Sequence, residues 1–268
     1  MTKCPISAFI ITKNEEKRLP ATLAALDWVD QVIVVDSGST DATLQIAERA
    51  GAEIHHREWT GYGPQKVFAE QLCANDWVLN VDADEVVTPE LAAEIGARIA
   101  AGQPPAAFRL RILTVYPGDE HPRPLADDFN EIRFYHRSVG GYRDHPVFDR
   151  VETQEGCRIE QLRAPVWHFT LIDWAQFVDK ENRHSSFLAA HDGAKRRPLL
   201  KLRLGLELPL TFLKFYLLRR HVTGGWKGFF FALSAAYART LRLAKILEYR
   251  ERGSLSETGG QKKPDDND

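Results

Sequence analysis

Three short, almost continuous apolar runs each break off at a cluster of short polar or acidic side chains. Phe9-Ile10-Ile11 leads into Thr12-Lys13-Asn14-Glu15. Val32-Ile33-Val34-Val35 leads into Asp36-Ser37-Gly38-Ser39-Thr40-Asp41, and Trp77-Val78-Leu79-Asn80-Val81 leads into Asp82-Ala83-Asp84-Glu85. Runs of this kind predict strands buried on both faces. Between them the spacing predicts helices over Leu19–Leu26, Ala42–Ala50, Val67–Ala74 and Pro89–Ala101, with Gly51 closing the second, and a further short strand over Ala52–His55. Strands alternating with helices imply an α/β fold, a mostly parallel sheet with helices on both faces. In such sheets ligands sit beyond the carboxyl ends of the strands, where all three polar clusters fall.

The pattern changes after Gln103-Pro104-Pro105. Phe108–Tyr116 and Ile132–His136 are expected as antiparallel strands joined by the loop Pro117–Asp128. Val166–Phe169 is expected as a last short strand, and the chain reads as helical from Asp173. With 268 residues, 44% of them apolar, the chain is long enough for one packed core and an appendage. The expected organisation is one α/β domain over 1–172 (halves 1–102 and 103–172), a basic amphipathic helical region over 173–252, and a disordered tail over 253–268.

Charge supports that division. Residues 1–194 carry 19 Lys/Arg against 30 Asp/Glu, a net of −11, whereas residues 195–252 carry 14 against 3, a net of +11. Three widely spaced cysteines argue against a disulfide framework or a thiolate zinc site. No basic start, apolar run and small-residue cleavage site come together near the N-terminus, so a cytoplasmic location is expected.

Asp82 and Asp84, two carboxylates at i and i+2 past a buried strand, can converge on one hard cation, Mg²⁺ or Mn²⁺, that shares its shell with substrate phosphates. The competing reading is a solvated acidic turn. Asp36 can accept from donor N–H groups such as a pyrimidine edge, or simply cap the next helix.

The motifs Ile10-Ile11-Thr12-Lys13-Asn14-Glu15, Val34-Val35-Asp36-Ser37-Gly38-Ser39-Thr40-Asp41 and Val81-Asp82-Ala83-Asp84-Glu85 resemble, in order and spacing, the three donor-site motifs of glycosyltransferase family 2, of GT-A fold. Within that family, Trp59-Thr60-Gly61-Tyr62-Gly63-Pro64-Gln65-Lys66 and Gly140-Gly141-Tyr142-Arg143-Asp144 are similar to the bacterial lipopolysaccharide-core transferases, of β-glucosyltransferase type.

The resemblance implies an inverting, metal-dependent hexosyltransferase using a nucleotide-sugar donor, a uridine diphosphate sugar with glucose as the sugar, and a glycolipid acceptor. Thr12, Asn14 and Glu15 would hold base and ribose, Asp36 the uracil edge, and Lys66 the diphosphate. Asp82 and Asp84 would hold the metal, with His168 as a distal ligand. Asp149, in Val147-Phe148-Asp149-Arg150-Val151, would be the general base, with Asp144 as the alternative; either could instead pair with Arg143 or Arg150. Arg183 would cover the diphosphate or an acceptor phosphate, or lie idle on a helix surface. For His168 the plainer reading is a satisfied core histidine, and for Lys66 a surface lysine.

In the C-terminal region, Lys195-Arg196-Arg197, Lys201, Arg203, Lys214 and Arg219-Arg220 stand among dense leucines and aromatics. Neither apolar run there is uninterrupted and long enough to span a bilayer. The composition suits helices lying on an anionic membrane, peripheral on the cytoplasmic face, and disfavours nucleic acid. Two rival functions remain open: a polyprenyl-phosphate glycosyltransferase, and a catalytically inactive nucleotide-sugar-binding membrane scaffold.

Overall fold

The apolar runs form strands that share one sheet. The computed structural model describes residues 3–145, 149–191 and 200–259. β1 (Cys4–Thr12), β2 (Val29–Asp36), β3 (Glu53–His56) and β4 (Trp77–Asn80) pair in parallel, β1 lying between β2 and β4. β5 (Glu85–Val87), β6 (Ala107–Thr114), β7 (Asp128–His136) and β10 (Ile159–His168) complete an eight-stranded sheet of order β3-β2-β1-β4-β7-β6-β10-β5. The β4–β7, β6–β7 and β5–β10 pairings are antiparallel and the other four parallel, so the sheet is mostly parallel, as expected. β8 (Gly140–Tyr142) and β9 (Val151–Thr153) form a separate hairpin.

Each face carries its own core. Ile6, Ala8 and Ile10 of β1 pack with Val34, Leu79, Phe108 and Phe134, under Leu19 and Leu23 of α1 (Leu19–Ala24) and Leu91 and Ile95 of α4 (Pro89–Ala100). Phe9 points the other way with Ile33, Val35, Val78 and Tyr135, covered by Ala69 of α3 (Tyr62–Gln71) and by Tyr142. The period-2 alternation of a strand explains why adjacent residues serve opposite cores. α2 (Thr43–Arg49) follows β2 and ends before Gly51, which takes a φ of +75°.

Two expectations needed correction. α3 begins at Tyr62, ahead of the expected Val67. Pro64 lies in its first turn, where no N–H partner is required, and Gln65 N donates to Gly61 O at 3.2 Å. β10 starts at Ile159 rather than Val166, because its first half pairs with β6 while alternating exposed and buried.

The chain divides into two units. The first comprises 1–115, 119–122 and 128–170; the second comprises 116–118, 123–127 and 171–268. In the second, α5 (Trp174–His191), α6 (Leu200–Leu213) and α7 (Gly225–Gly259) pack together, with Leu200, Leu243 and Ile246 among the residues of a small core. A π-helical turn over Lys214–Leu218 and a 3₁₀ turn over His221–Gly224 join α6 to α7. α7 continues to Gly259, past the boundary at Gly253 set by composition, while Lys195, Arg196 and Arg197 fall outside the described residues. No described helix is long and apolar enough to cross a membrane.

Candidate active site

The loops after β1 and β2 are laced together. Asn14, at a φ of +58°, accepts from Thr40 N at 2.8 Å, while Asn14 N donates to Ser39 Oγ and Glu15 N to Thr43 Oγ1, each at 2.8 Å. Asp36 is buried and accepts from Gly38 N and Ser39 N at 2.8 and 2.9 Å and from the Ser39 hydroxyl. Its carboxylate therefore holds its own loop in shape. Thr12 is buried at the end of β1, and its hydroxyl has no hydrogen-bond partner among the described residues. Glu15 makes a two-pronged pair with Arg18 at 2.6 and 2.7 Å.

Past β4, the two aspartates of the acidic triplet take different partners. Asp82 accepts from Lys66 Nζ at 3.0 Å and from Arg133 at 2.8 Å. Asp84 Oδ2 lies 3.3 Å from His168 Nε2 and 3.3 Å from Arg18. Burial alone would raise Asp82; Arg133 and Lys66 overcome it and hold the carboxyl well below the usual range. Asp84 is also lowered: burial opposes, but the His168 and Arg18 contacts win. Glu85, buried beside Asp82, is raised, first by burial and then by that neighbouring charge.

Lys66 is 1% exposed at its side chain and reaches a second carboxylate, Asp149 Oδ2, at 2.8 Å. Burial and Arg133 would lower its ammonium, yet Asp82, Tyr142 and Asp149 together raise it. The Tyr142 ring faces that ammonium at 5.3 Å, and its hydroxyl donates to Asn80 at 2.7 Å. A glycine fixes this junction: a Cβ at Gly63 would fall 2.3 Å from His145 O and 2.6 Å from Arg143 O. Only a residue without a side chain lets α3 approach the backbone of Arg143 and His145, which follow β8.

The structure thus brings Lys66, Asp82 and Asp149 into one cluster, and Asp84 and His168 into another beside it. Among the described residues, Asp82 and Asp84 share no hydrogen-bond or ion-pair partner. Asp144 is exposed, Arg143 pairs with Glu152 at 2.9 Å, and Arg183 is exposed on α5 in the second unit. Val147 and Phe148 fall outside the described residues. Sequence reading missed Arg133, which is 8% exposed at its side chain and hydrogen-bonds Asp82, Asn80 and Tyr142. The available signal was a guanidinium inside Ile132-Arg133-Phe134-Tyr135, a strand too apolar to carry an unpaired charge. Arg18 was missed as well.

Among the described residues, no three His, Cys, Asp or Glu side chains gather closely enough to hold a metal ion. The donor chemistry nevertheless fits a divalent cation that arrives with a phosphate ligand. Glu15, Asp82, Asp84, Glu85 and Asp149 are five acidic side chains against the three fixed cations Arg18, Lys66 and Arg133, two more acids than cations. Mg²⁺ and Mn²⁺ commonly take only one or two protein ligands when substrate phosphates complete the shell. Asp84 and His168, 3.3 Å apart, are the pair that would supply them.

The family model for glycosyl transferase family 2 matches residues 7–158, more than half of the chain, from within β1 through β9 and ending just before β10. The chain belongs to glycosyl transferase family 2. It is 37% identical to an uncharacterized glycosyltransferase of Rickettsia felis, over 91% of this chain and 89% of that protein. It is 28% identical to the lipopolysaccharide core biosynthesis glycosyltransferase LpsC of Rhizobium meliloti, over 92% and 93% of the two chains. Among solved structures, S. aureus TarS 1–349 in complex with UDP-GlcNAc aligns at a TM-score of 0.47 and 17% identity, over 93% of this chain and 92% of that one. The family 2 chain is accordingly an enzyme, a glycosyltransferase, with the α/β architecture expected of it.

Proposed function

We propose that this family 2 enzyme is an inverting transferase. In this reading it moves a sugar from a uridine diphosphate donor to a glycolipid acceptor of lipopolysaccharide-core type. The observation that carries it is the buried Lys66 ammonium held between Asp82 and Asp149, with Asp84 and His168 alongside. The acceptor class rests on the resemblance to LpsC along nearly the whole of both chains.

The residues divide the work as follows. Thr12, with its unpartnered buried hydroxyl, and the laced loop residues Asn14, Glu15 and Asp36 frame the nucleoside. Lys66 exchanges Asp149 for the donor diphosphate, its ammonium acting as a compact point charge. Asp149 then takes the proton of the acceptor hydroxyl. That oxygen bonds to the anomeric carbon as the bond to the diphosphate breaks, and the electron pair leaves with the diphosphate. A divalent cation held by Asp84 and His168 would neutralise that leaving group. Arg133 keeps Asp82 ionised and in place, so Asp82 serves as an acceptor for sugar hydroxyls rather than as the metal ligand first expected of it.

A donor-hydrolysis screen tests the reading. Nucleotide sugars, with uridine diphosphate glucose first, are incubated with the full chain and Mg²⁺ or Mn²⁺, and nucleoside diphosphate release is followed. Release from a uridine diphosphate sugar that needs the cation is the expected result. Silence with every donor and both cations would sink the proposal and favour an inactive binding protein.

A further inference from the structure

The turn that joins α6 to α7 is held by an unusual number of polar bonds and yet presents large apolar side chains to solvent. Arg123 donates to Arg219 O at 2.8 Å and pairs with Asp127 at 2.5 Å. Arg219 also reaches Asp127, at 3.6 Å. The Thr223 hydroxyl donates to Pro124 O at 2.6 Å, Lys227 Nζ to Pro117 O at 2.8 Å, and the Tyr116 hydroxyl meets His221 Nδ1 at 2.5 Å. Gly228 packs so closely that a Cβ there would fall 1.8 Å from His221 O. These bonds make the apex a fixed shape, and Leu125 takes a φ of +55° within it.

Leu218 is 78% exposed, and Leu125 and Trp226 are 67% exposed each. Leu217, Val222 and Phe229, in the same stretch of chain as Leu218 and Trp226, are exposed as well. A globule rarely rigidifies a loop in order to leave such side chains in water; an apolar patch of this kind marks an interaction surface. The charge around it selects the partner. Between residues 200 and 247 there are nine Lys and Arg and one carboxylate, Glu207. That carboxylate is buried and held by Arg203 and Arg239. Lys214, Arg219 and Arg220 flank the apex and are exposed. Asp127, the acid closest to them in the clamp, is already paired.

We propose that this apex is the membrane-docking element: Leu125, Leu218 and Trp226 enter the headgroup region of an anionic bilayer while Lys214, Arg219 and Arg220 contact lipid phosphates. Leucines with an indole, rimmed by lysine and arginine, are the composition that seats a helix hairpin at an anionic interface. The proposal rests on the glycolipid reading above, because an acceptor anchored in a bilayer requires the enzyme to come to that surface.

Co-sedimentation of the full chain with vesicles tests it. Phosphatidylcholine vesicles with and without phosphatidylglycerol are compared at about 0.1 M and about 1 M salt, where the screening length falls from about 10 to about 3 Å. The wild type is expected to bind the anionic vesicles and to weaken with salt. The double substitution Leu218→Glu with Trp226→Glu should lower that binding by about tenfold or more. The pair Lys214→Gln and Arg220→Gln, which leaves the apolar side chains in place, should lower it by about fivefold per charge on anionic vesicles alone. Leu44→Glu, an exposed position in the first unit, should bind as the wild type does.

The proposal is overturned by wild-type binding that is absent or indifferent to lipid charge, or by unchanged sedimentation of the Leu218/Trp226 variant. A dimer that these substitutions dissolve would also overturn it, since a second copy would then cover the apex. Donor hydrolysis measured on every variant separates this outcome from the transferase reading: a chain that releases nucleotide but ignores vesicles sinks only the docking element.

Discussion

Lys66 Nζ and Asp149 Oδ2 lie 2.8 Å apart although 83 residues separate them in the chain. The lysine is buried and the aspartate half-exposed, so the pair links the interior of the domain to its surface. If Asp149 is the base, Asp149→Asn should slow sugar transfer by about 10²–10⁴-fold. Binding of uridine diphosphate should stay close to wild type. A radiolabelled transfer assay beside a nucleotide titration checks both, and full transfer activity would reassign the base.

The different partners of Asp82 and Asp84 give an asymmetric expectation for metal. Asp84→Asn should weaken Mn²⁺ binding in the presence of uridine diphosphate by about tenfold or more, since it removes one of the two proposed protein ligands. Asp82→Asn should leave Mn²⁺ affinity nearly unchanged while raising KM for the donor. Calorimetric titration of Mn²⁺ into each variant decides between this assignment and a shared site.

Arg133 and Asp82 form a largely desolvated pair, so deleting the guanidinium leaves the carboxylate with Lys66 as its one remaining cation among the described residues. Arg133→Met should cost about 3–5 kcal/mol of stability, read from urea unfolding. The double variant with Asp82→Asn should recover part of that loss, because the less compensated carboxylate is gone. Additive losses would show that the two do not act as a pair.

His221 supplies a pH dependence in the helical unit. Burial first, then Arg123 and Arg219, lower its pKa from 6.5 to about 4, against the opposing pull of Asp127. The folded chain therefore binds fewer protons than the unfolded one between those values. Stability is full above 6.5 and falls as the pH drops towards about 4, by an amount on the order of 3 kcal/mol. Thermal melting at a series of pH values should show this slope, and His221→Gln should flatten it.

The parallel half of the sheet was legible because β1, β2 and β4 are buried on both faces, and a strand with no wet side has to be continuously apolar. The polar clusters at their ends were legible for the same reason: they mark where burial stops. α3 was less so, since Gly61, Tyr62, Gly63 and Pro64 read as a loop while the first helical turn tolerates both Pro64 and Gly63. β5, β8 and β9 are too short to show a period. The donor motifs indicated which acids matter but not how they divide. Asp82 and Asp84 look equivalent at i and i+2, and only the return of β7 and β10 through the sheet supplies Arg133 to one and His168 to the other. Long-range pairing of that kind leaves no local trace.

The missing side chain at position 63 also restricts which histories this chain can have had. Any substitution there forces α3 away from the backbone at Arg143 and His145, so Lys66 would be carried off its acid partner without a single functional group having changed. Starting from Gly63→Ala, a screen for regained activity should return second changes at 143–145, on the opposing backbone, before any in the chemical residues themselves.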